Sequence, residues 1–222
     1  MRHKCLLLVL ALLILLPTTA SRSDAKGDIN LVFGFKQISD FADLQESING
    51  EDDLGNHFEL GAEMTFRGAD WPIGIAVDIL GSTREDDIYY VTYYLGYNAY
   101  DLTLETSTAE IDIGIRKIWE LPKKAVRPYI GGGLSLARGE VEVTGVVFDP
   151  VALGPEFSVS ESVDAMGAGF WIGGGVFWRV GQSFNIGLNA RYSTAEVEFD
   201  ELGEEDVDVG GLHGGLLLGW GW

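Results

Sequence analysis

Apolar and polar residues alternate through eight separate segments of this chain, and a period of two is the repeat of a β-strand rather than a helix. In residues 28–38 the side chains of Ile29, Leu31, Phe33 and Phe35 fall on one face. The pattern recurs at 57–67 (Phe58, Leu60, Ala62, Met64, Phe66), 73–84 (Ile73, Ile75, Val77, Ile79) and 109–121 (Ile111, Ile113, Ile115, Trp119, Leu121). It continues at 129–139 (Ile130, Leu134, Leu136), 165–180 (Met166, Ala168, Phe170, Ile172, Val176, Trp178, Val180) and 184–195 (Phe184, Ile186, Leu188, Ala190, Tyr192). The last segment, 211–222, carries Leu212, Leu216, Leu218, Trp220 and Trp222 on one face. Each is near the ~9–11 residues that a tilted strand needs to cross a bilayer.

The opposite faces hold Asn30, Lys36, Glu59, Glu63, Arg67, Asp78, Arg84, Glu110, Asp112, Arg116, Ser135, Arg179, Asn185, Asn189, Arg191 and His213. Alternation alone does not say which face is inside. Three further features favour apolar-out. Connections alternate between short (68–72, 122–128, 181–183) and long (39–56, 85–108, 140–164, 196–209), the pattern of a membrane barrel with tight turns at one end. Of six tryptophans, Trp71, Trp119, Trp178, Trp220 and Trp222 fall at the short-turn end, as in an interfacial aromatic girdle; only Trp171 does not, and its parity points inward. The N-terminus reads as a secretory leader: Arg2 and Lys4, an apolar run over 6–16, then cleavage after Ala20 or alternatively after Ala25. Cys5 leaves with that leader, so neither a disulfide framework nor a thiol site is expected.

Together these features resemble the small outer-membrane β-barrel family that includes OmpA-like transmembrane domains. The residues that carry the resemblance are Arg127-Pro128-Tyr129-Ile130-Gly131-Gly132-Gly133-Leu134, Asp112-Ile113-Gly114-Ile115-Arg116 and the aromatic terminal strand. The expected fold is all-β: an eight-stranded antiparallel up-and-down transmembrane barrel over 27–222, apolar outside and polar inside, following a leader over 1–20. The resemblance implies the cell outer membrane, both termini in the periplasm, and insertion by the barrel assembly machinery through the C-terminal strand. Because the chain ends at the barrel, no peptidoglycan-binding domain of the OmpA kind is expected. The family implies no single activity, since one fold hosts many.

Candidate sites are of three kinds. Lys36, Glu59, Glu63, Asp78, Glu110, Asp112, Arg116, Arg179 and Arg191 form a lumen charge set, readable as a salt-bridged plug or as a narrow ion path. Acidic stretches at 46–53, 85–87 and 200–208 suit Ca2+ or Mg2+ bridging to lipopolysaccharide phosphates, but the last lacks the ordered spacing of a calcium loop and the favoured reading is a solvated outer face. Tyr89, Tyr90, Tyr93, Tyr94, Tyr97 and Tyr100 either form a partner-binding tip or cover a hairpin that continues the third and fourth strands.

Fifteen basic residues against 34 acidic give a net charge of −19; without Arg2 and Lys4 the count is 13 against 34, or −21. Such a polyanion is unsuited to nucleic acid. His57 and His213 have lumen parity and no His-x-Ser neighbour, so no catalytic set, metal site or cofactor is expected. The expected role is non-enzymatic, structural or surface-interacting, with outer-membrane lipid, lipopolysaccharide and an extracellular partner as contacts. A narrow porin-like channel is the alternative and a lipid A-modifying enzyme the third reading.

Overall fold

Every strand of this chain finds its hydrogen-bonding partner in a sequence neighbour, except the last, which closes the sheet on the first. The structure is a computed structural model and describes residues 26–38, 56–68, 70–92, 98–121, 126–149, 154–181, 183–197 and 207–222. The leader lies outside the described residues. The elements are β1 (Lys26–Gln37), β2 (Asn56–Arg67), β3 (Gly74–Thr92), β4 (Asn98–Ile118), β5 (Val126–Asp149), β6 (Gly154–Val180), β7 (Phe184–Val197), β8 (Val207–Asp208) and β9 (Gly211–Gly221). All pairs are antiparallel, from Ile29↔Met64 between β1 and β2 to Trp178↔Ile186 between β6 and β7. β9 pairs with β7 at Ile186↔Leu218 and with β1 at Leu31↔Leu218, which closes an eight-stranded barrel. The two-residue β8 is an adjunct on the end of β7. Closure removes both sheet edges in the barrel wall, the condition for strands to sit in hydrocarbon.

The short turns show local chemistry. Gly181 has φ 71°, a left-handed conformation that a side chain disfavours, in the turn between β6 and β7. The turn after β2 is tied by Trp71 N–H donating to the Gly68 carbonyl at 3.1 Å. At the same rim the Trp222 amide donates to the Gly27 carbonyl (3.0 Å), pinning the last residue to the first strand.

Burial decides the facing. Leu134 (61 % exposed), Phe170 (68 %), Phe35, Ile113, Ile115 and Leu216 lie on the outer wall. Asp78, Asn185 and Ser135 are fully buried inside. The lumen is not wholly polar: Val32, Leu80, Ile118, Tyr129, Phe177 and Leu217 form an apolar layer within it.

The sequence reading of two long loops needs correction. β3 has 19 residues, β4 21, β5 24 and β6 27, against 12 in β1 and β2, 14 in β7 and 11 in β9. Most of 85–108 and 140–164 is therefore ladder, paired without a break from Ile75↔Ile115 to Thr92↔Asn98 and, between β5 and β6, from Val126↔Trp178 to Val147↔Phe157. The bilayer length criterion ended these strands too early, because a hydrogen-bonded ribbon does not stop where its outer face turns polar. β4 also ends at Ile118, so Trp119 and Leu121 follow the strand rather than close it. Extra strand of about ten residues, at about 3.3 Å each, carries the sheet roughly 30 Å further.

In that extension the polarity inverts. The register past Val141 and Val143 is unbroken, Val143↔Leu104 and Val141↔Thr106. The parity is kept and the composition of each face is exchanged instead. Val141, Val163 and Val207 pack inward on Ile38, Ala137, Ala165, Ala195, Val197 and Val209. On the outside, the Arg138 guanidinium donates to Asp164 at 3.1 Å and Ser162 donates to Glu140 at 3.4 Å.

Candidate functional site

Even-numbered positions of β1, β3 and β4, and odd-numbered ones of β2, β5, β6, β7 and β9, point inward, so the lumen is lined from every strand. Three polar clusters lie in it, the second and third joined through Glu110. At the short-turn end the Arg127 guanidinium makes a two-pronged contact with Asp28, 2.6 and 3.0 Å, and its Nη2 also donates to Glu120 at 3.2 Å. Asn185 donates to Asp28 at 3.1 Å, and Arg179 approaches it at 3.6 Å. Partial burial pushes the Glu120 carboxyl up, but Arg127 first and then Arg67, 3.0 Å away, outweigh it and hold the carboxyl below its ordinary range.

The middle cluster is built on Arg116, which donates to Asp78 (2.7 Å) and Thr65 (3.0 Å) and lies 3.7 Å from Glu63. Glu63 also accepts from Tyr129 (3.1 Å) and Asn189 (2.9 Å). The Arg116 guanidinium sits 5.0 Å above the Tyr129 ring, which stacks on Phe177 at 4.6 Å. Arg191 contacts Asp112, Glu110 (3.5 Å) and Asp78 (3.6 Å), and lies 5.2 Å over Trp171. Glycine makes room for these rings: a Cβ on Gly131 would lie 3.0 Å from Trp171, and one on Gly175 2.7 Å from Tyr129.

The third cluster lies toward the hairpin end. Lys36 contacts Glu110, Thr108 (3.1 Å) and the Val209 carbonyl (2.6 Å). His57 meets Thr106 at 2.8 Å. His213 meets Glu59 through Nδ1 and the Ser193 hydroxyl through Nε2 at 2.9 Å. A carboxylate on Nδ1 favours the tautomer whose Nε2 accepts, so Ser193, His213 and Glu59 have the relative placement of nucleophile, base and orienting acid. Yet Ser193 is fully buried and His213 and Glu59 are 1 % exposed. All three side chains are closed off from solvent. The apolar cluster around Ile38 and Val209 lies next to it on the hairpin side.

The structure thus gathers Lys36, Glu59, Glu63, Asp78, Glu110, Asp112, Arg116 and Arg191 in a connected interior and places Arg179 at its short-turn mouth, a quarter exposed. Asp28, Arg127, Tyr129 and Ser193 belong to it too and escape the sequence reading. Pro128 makes 122–128 read as a turn, although Arg127 shares parity with Tyr129. Ser193 and His213 come from different strands, outside the reach of a local His-x-Ser test. Trp71, Trp119, Trp178, Trp220 and Trp222 are all exposed at the short-turn rim, where Trp220 meets Phe184 edge-on at 5.3 Å. Tyr89, Tyr90 and Tyr100 lie in the ladder of β3 and β4, with Tyr90↔Tyr100 paired; Tyr93, Tyr94 and Tyr97 lie outside the described residues. So do the acidic stretches 46–53 and 200–206, whereas 85–87 belongs to β3. Among the described residues no cluster of three or more metal-ligating side chains is arranged around a common point.

A family model of the outer membrane protein beta-barrel domain matches residues 7–218. The chain belongs to that family. This outer-membrane barrel is similar in structure to Ail, the attachment invasion locus protein of Yersinia pestis, solved with the heparin analogue sucrose octasulfate: 12 % identity, TM-score 0.53, covering 90 % of this chain and 99 % of that one. It also matches Neisserial surface protein A (16 %, TM-score 0.43, 90 % and 96 % covered) and OprG of Pseudomonas aeruginosa (13 %, 0.44, 90 % and 97 %). At these identities the likeness to Ail shows the fold alone. No curated protein matches the sequence. Outer-membrane location follows from the family, and the apolar outer wall is its lipid contact.

Proposed function

We propose that this barrel is a non-enzymatic outer-membrane anchor that holds a rigid, acidic sheet above the membrane for interaction with a partner outside the cell. The observation that carries the reading is the pairing of a filled lumen with four over-long strands. Arg116, Arg191 and Lys36 are each at most 4 % exposed and tied to buried carboxylates, and the apolar layer of Ile38, Val197 and Val209 lies over them. Such an interior serves as a plug, while β3 to β6 extend far past the bilayer. The short-turn rim, with its tryptophans and both ends of the barrel, then faces the periplasm, and the hairpins face out. In this orientation lipopolysaccharide surrounds the upper wall, and the aromatic C-terminal strand is the segment offered to the assembly machinery.

The partner's charge follows from composition. Residues 84–108 and 138–167 contain eleven Asp or Glu against Arg84 and Arg138. Ail was solved with a polyanion. The acidic sheet of this chain suits a cationic partner instead.

The test is to fold the chain into planar lipid bilayers, confirm the barrel by its heat-dependent gel shift, and record conductance. A folded, silent barrel is expected. Steady salt-dependent openings would overturn the plug and make the lumen charges a conduction site. Protease added to intact cells should cut the hairpins and not the short turns. Lipid A mass should be unchanged in an overexpressing strain, with or without Ser193→Ala.

A further inference from the structure

The short-turn rim carries the opposite charge to the hairpins. The side chains of the described residues at this end include Lys26, Arg67, Lys117, Arg127 and Arg179 against Asp28, Asp70 and Glu120, an excess of cations in a chain whose net charge is −19. Most of these groups form one run of contacts across the mouth of the lumen. Glu120 Oε1 accepts from Arg67 at 3.0 Å and from Arg127 at 3.2 Å, Arg127 holds Asp28, and Arg179 reaches Asp28 only at 3.6 Å. Three guanidinium groups therefore share two carboxylates. Arg179 is served worst, since its Nε is buried with no hydrogen-bond partner among the described residues. Lys26 makes the imbalance larger. It stands directly opposite Arg67 in the β1–β2 register, is exposed, and contacts no carboxylate among the described residues. Like charges facing each other across a strand pair repel, and an anion between them relieves that repulsion.

Two features make the fitting anion a lipid phosphate. The five exposed rim tryptophans circle this end, and tryptophan settles at the depth of the lipid headgroups. Beside the cations the outer wall is apolar: Phe66, next to Arg67 in the chain, and Trp222 are both exposed with ring centres 6.4 Å apart. Arg179 lies against the same strand end, since a Cβ on Gly221 would fall 2.6 Å from its Nη2. Acyl chains along Phe66 and Trp222 bring a phosphate to the height of Lys26, Arg67 and Arg179.

We propose that this mouth binds the headgroup phosphate of an anionic phospholipid, with Lys26, Arg67 and Arg179 as the donors. A guanidinium group presents paired N–H donors to phosphate oxygens, and the excess of cations favours a lipid of net negative charge over a zwitterionic one. The hairpin end, with its acidic residues outnumbering Arg84 and Arg138, repels the same headgroup. Assigning the site to the periplasmic leaflet rests on the orientation proposed above; the site itself does not.

The experiment places the full barrel in mixed bilayers of phosphatidylcholine and phosphatidylglycerol, one of the two carrying brominated chains. Quenching of the rim tryptophans' fluorescence then reads which lipid occupies the wall beside them. Phosphatidylglycerol is expected to be preferred at least about threefold at low salt. K26Q/R179Q should abolish the preference with the gel shift unchanged, whereas Arg138→Gln, which removes a cation at the hairpin end, should leave it as it was. Equal occupancy by the two lipids in the unaltered protein, or a preference that K26Q/R179Q does not lower, overturns the inference. Loss of the preference in millimolar inorganic phosphate would show a site for the free ion and overturn the assignment to lipid. If the double variant does not fold, K26Q alone decides, because Lys26 is exposed and holds no described carboxylate. The conductance record is a separate reading. A silent barrel without lipid preference loses this site and keeps the anchor, and a conducting barrel that prefers phosphatidylglycerol keeps the site and loses the anchor.

Discussion

Strand β5 obeys opposite rules in its two halves. Up to Leu136 its outward side chains are Ile130, Leu134 and Leu136 and its inward ones include Arg127, Tyr129 and Ser135. Past Ala137 the outward ones are Arg138, Glu140 and Glu142, and the inward Val141 packs on an apolar layer. Neither the register nor the alternation changes between the halves. Only the solvent does. Where lipid wets the wall, apolar groups face out and the narrow interior pairs its charges; where water wets it, the arrangement is that of a soluble sheet. Such an inversion is the change expected where a strand leaves lipid for water.

This contrast is open to attack by mutation. The largest effect is expected for Arg116→Ala, which leaves Glu63 buried without its cation and Asp78 with Arg191 alone, at 3.6 Å. Breaking such a pair by removing one partner is worth about 3–5 kcal/mol, read as a fall in the urea midpoint of the refolded barrel. Next, Leu134→Arg puts a charge on the lipid face of β5 and is expected to destabilise by about 2–4 kcal/mol. Glu140→Arg, on the same strand and the same face, should shift stability by less than about 0.5 kcal/mol. Equal losses at the two positions would place both in the bilayer and erase the inversion. Val141→Asp tests the inner side of the same boundary: in a half-buried apolar layer it should lose about 1–2 kcal/mol, whereas a water-filled mouth would accept it without change.

The smallest effect concerns pH at the opposite rim. Glu120 has its carboxyl lowered by Arg127 and Arg67, so its contribution is complete above the unfolded value of about 4.3 and is lost as pH falls through the lower folded one. Glu120→Gln should therefore lower stability at neutral pH and flatten its decline below pH ~4. A variant that declines in parallel with the unaltered protein would show that this rim cluster carries no pH dependence.

The membrane-spanning halves of the strands are legible in the amino-acid sequence. Hydrocarbon demands an apolar residue at every second position, and 57–67 and 184–195 agree with β2 and β7 to within two residues at each end. The charged lumen set is legible for the same reason, as the complement of that stripe. The projecting halves of β3 and β4 are legible only as one of two readings of the Tyr89–Tyr100 segment, and those of β5 and β6 are not. Their outer faces are polar, so the signal that locates the strands vanishes while the hydrogen bonds continue. Arg127 is hidden by Pro128, whose usual meaning as a strand breaker is relaxed at the start of a strand, where its carbonyl still accepts from the Trp119 amide at 3.0 Å.

What the sequence by itself determined is the pattern that depends on one strand at a time: period, facing and membrane-crossing length. Those follow from each residue's affinity for lipid or water, a local property. What only the tertiary structure decided depends on strands far apart in the chain. Asp28 finds Arg127, and Glu59 finds His213 and then Ser193. Barrel closure and strand stagger set these meetings, and no residue's own chemistry specifies the partner it meets across the lumen.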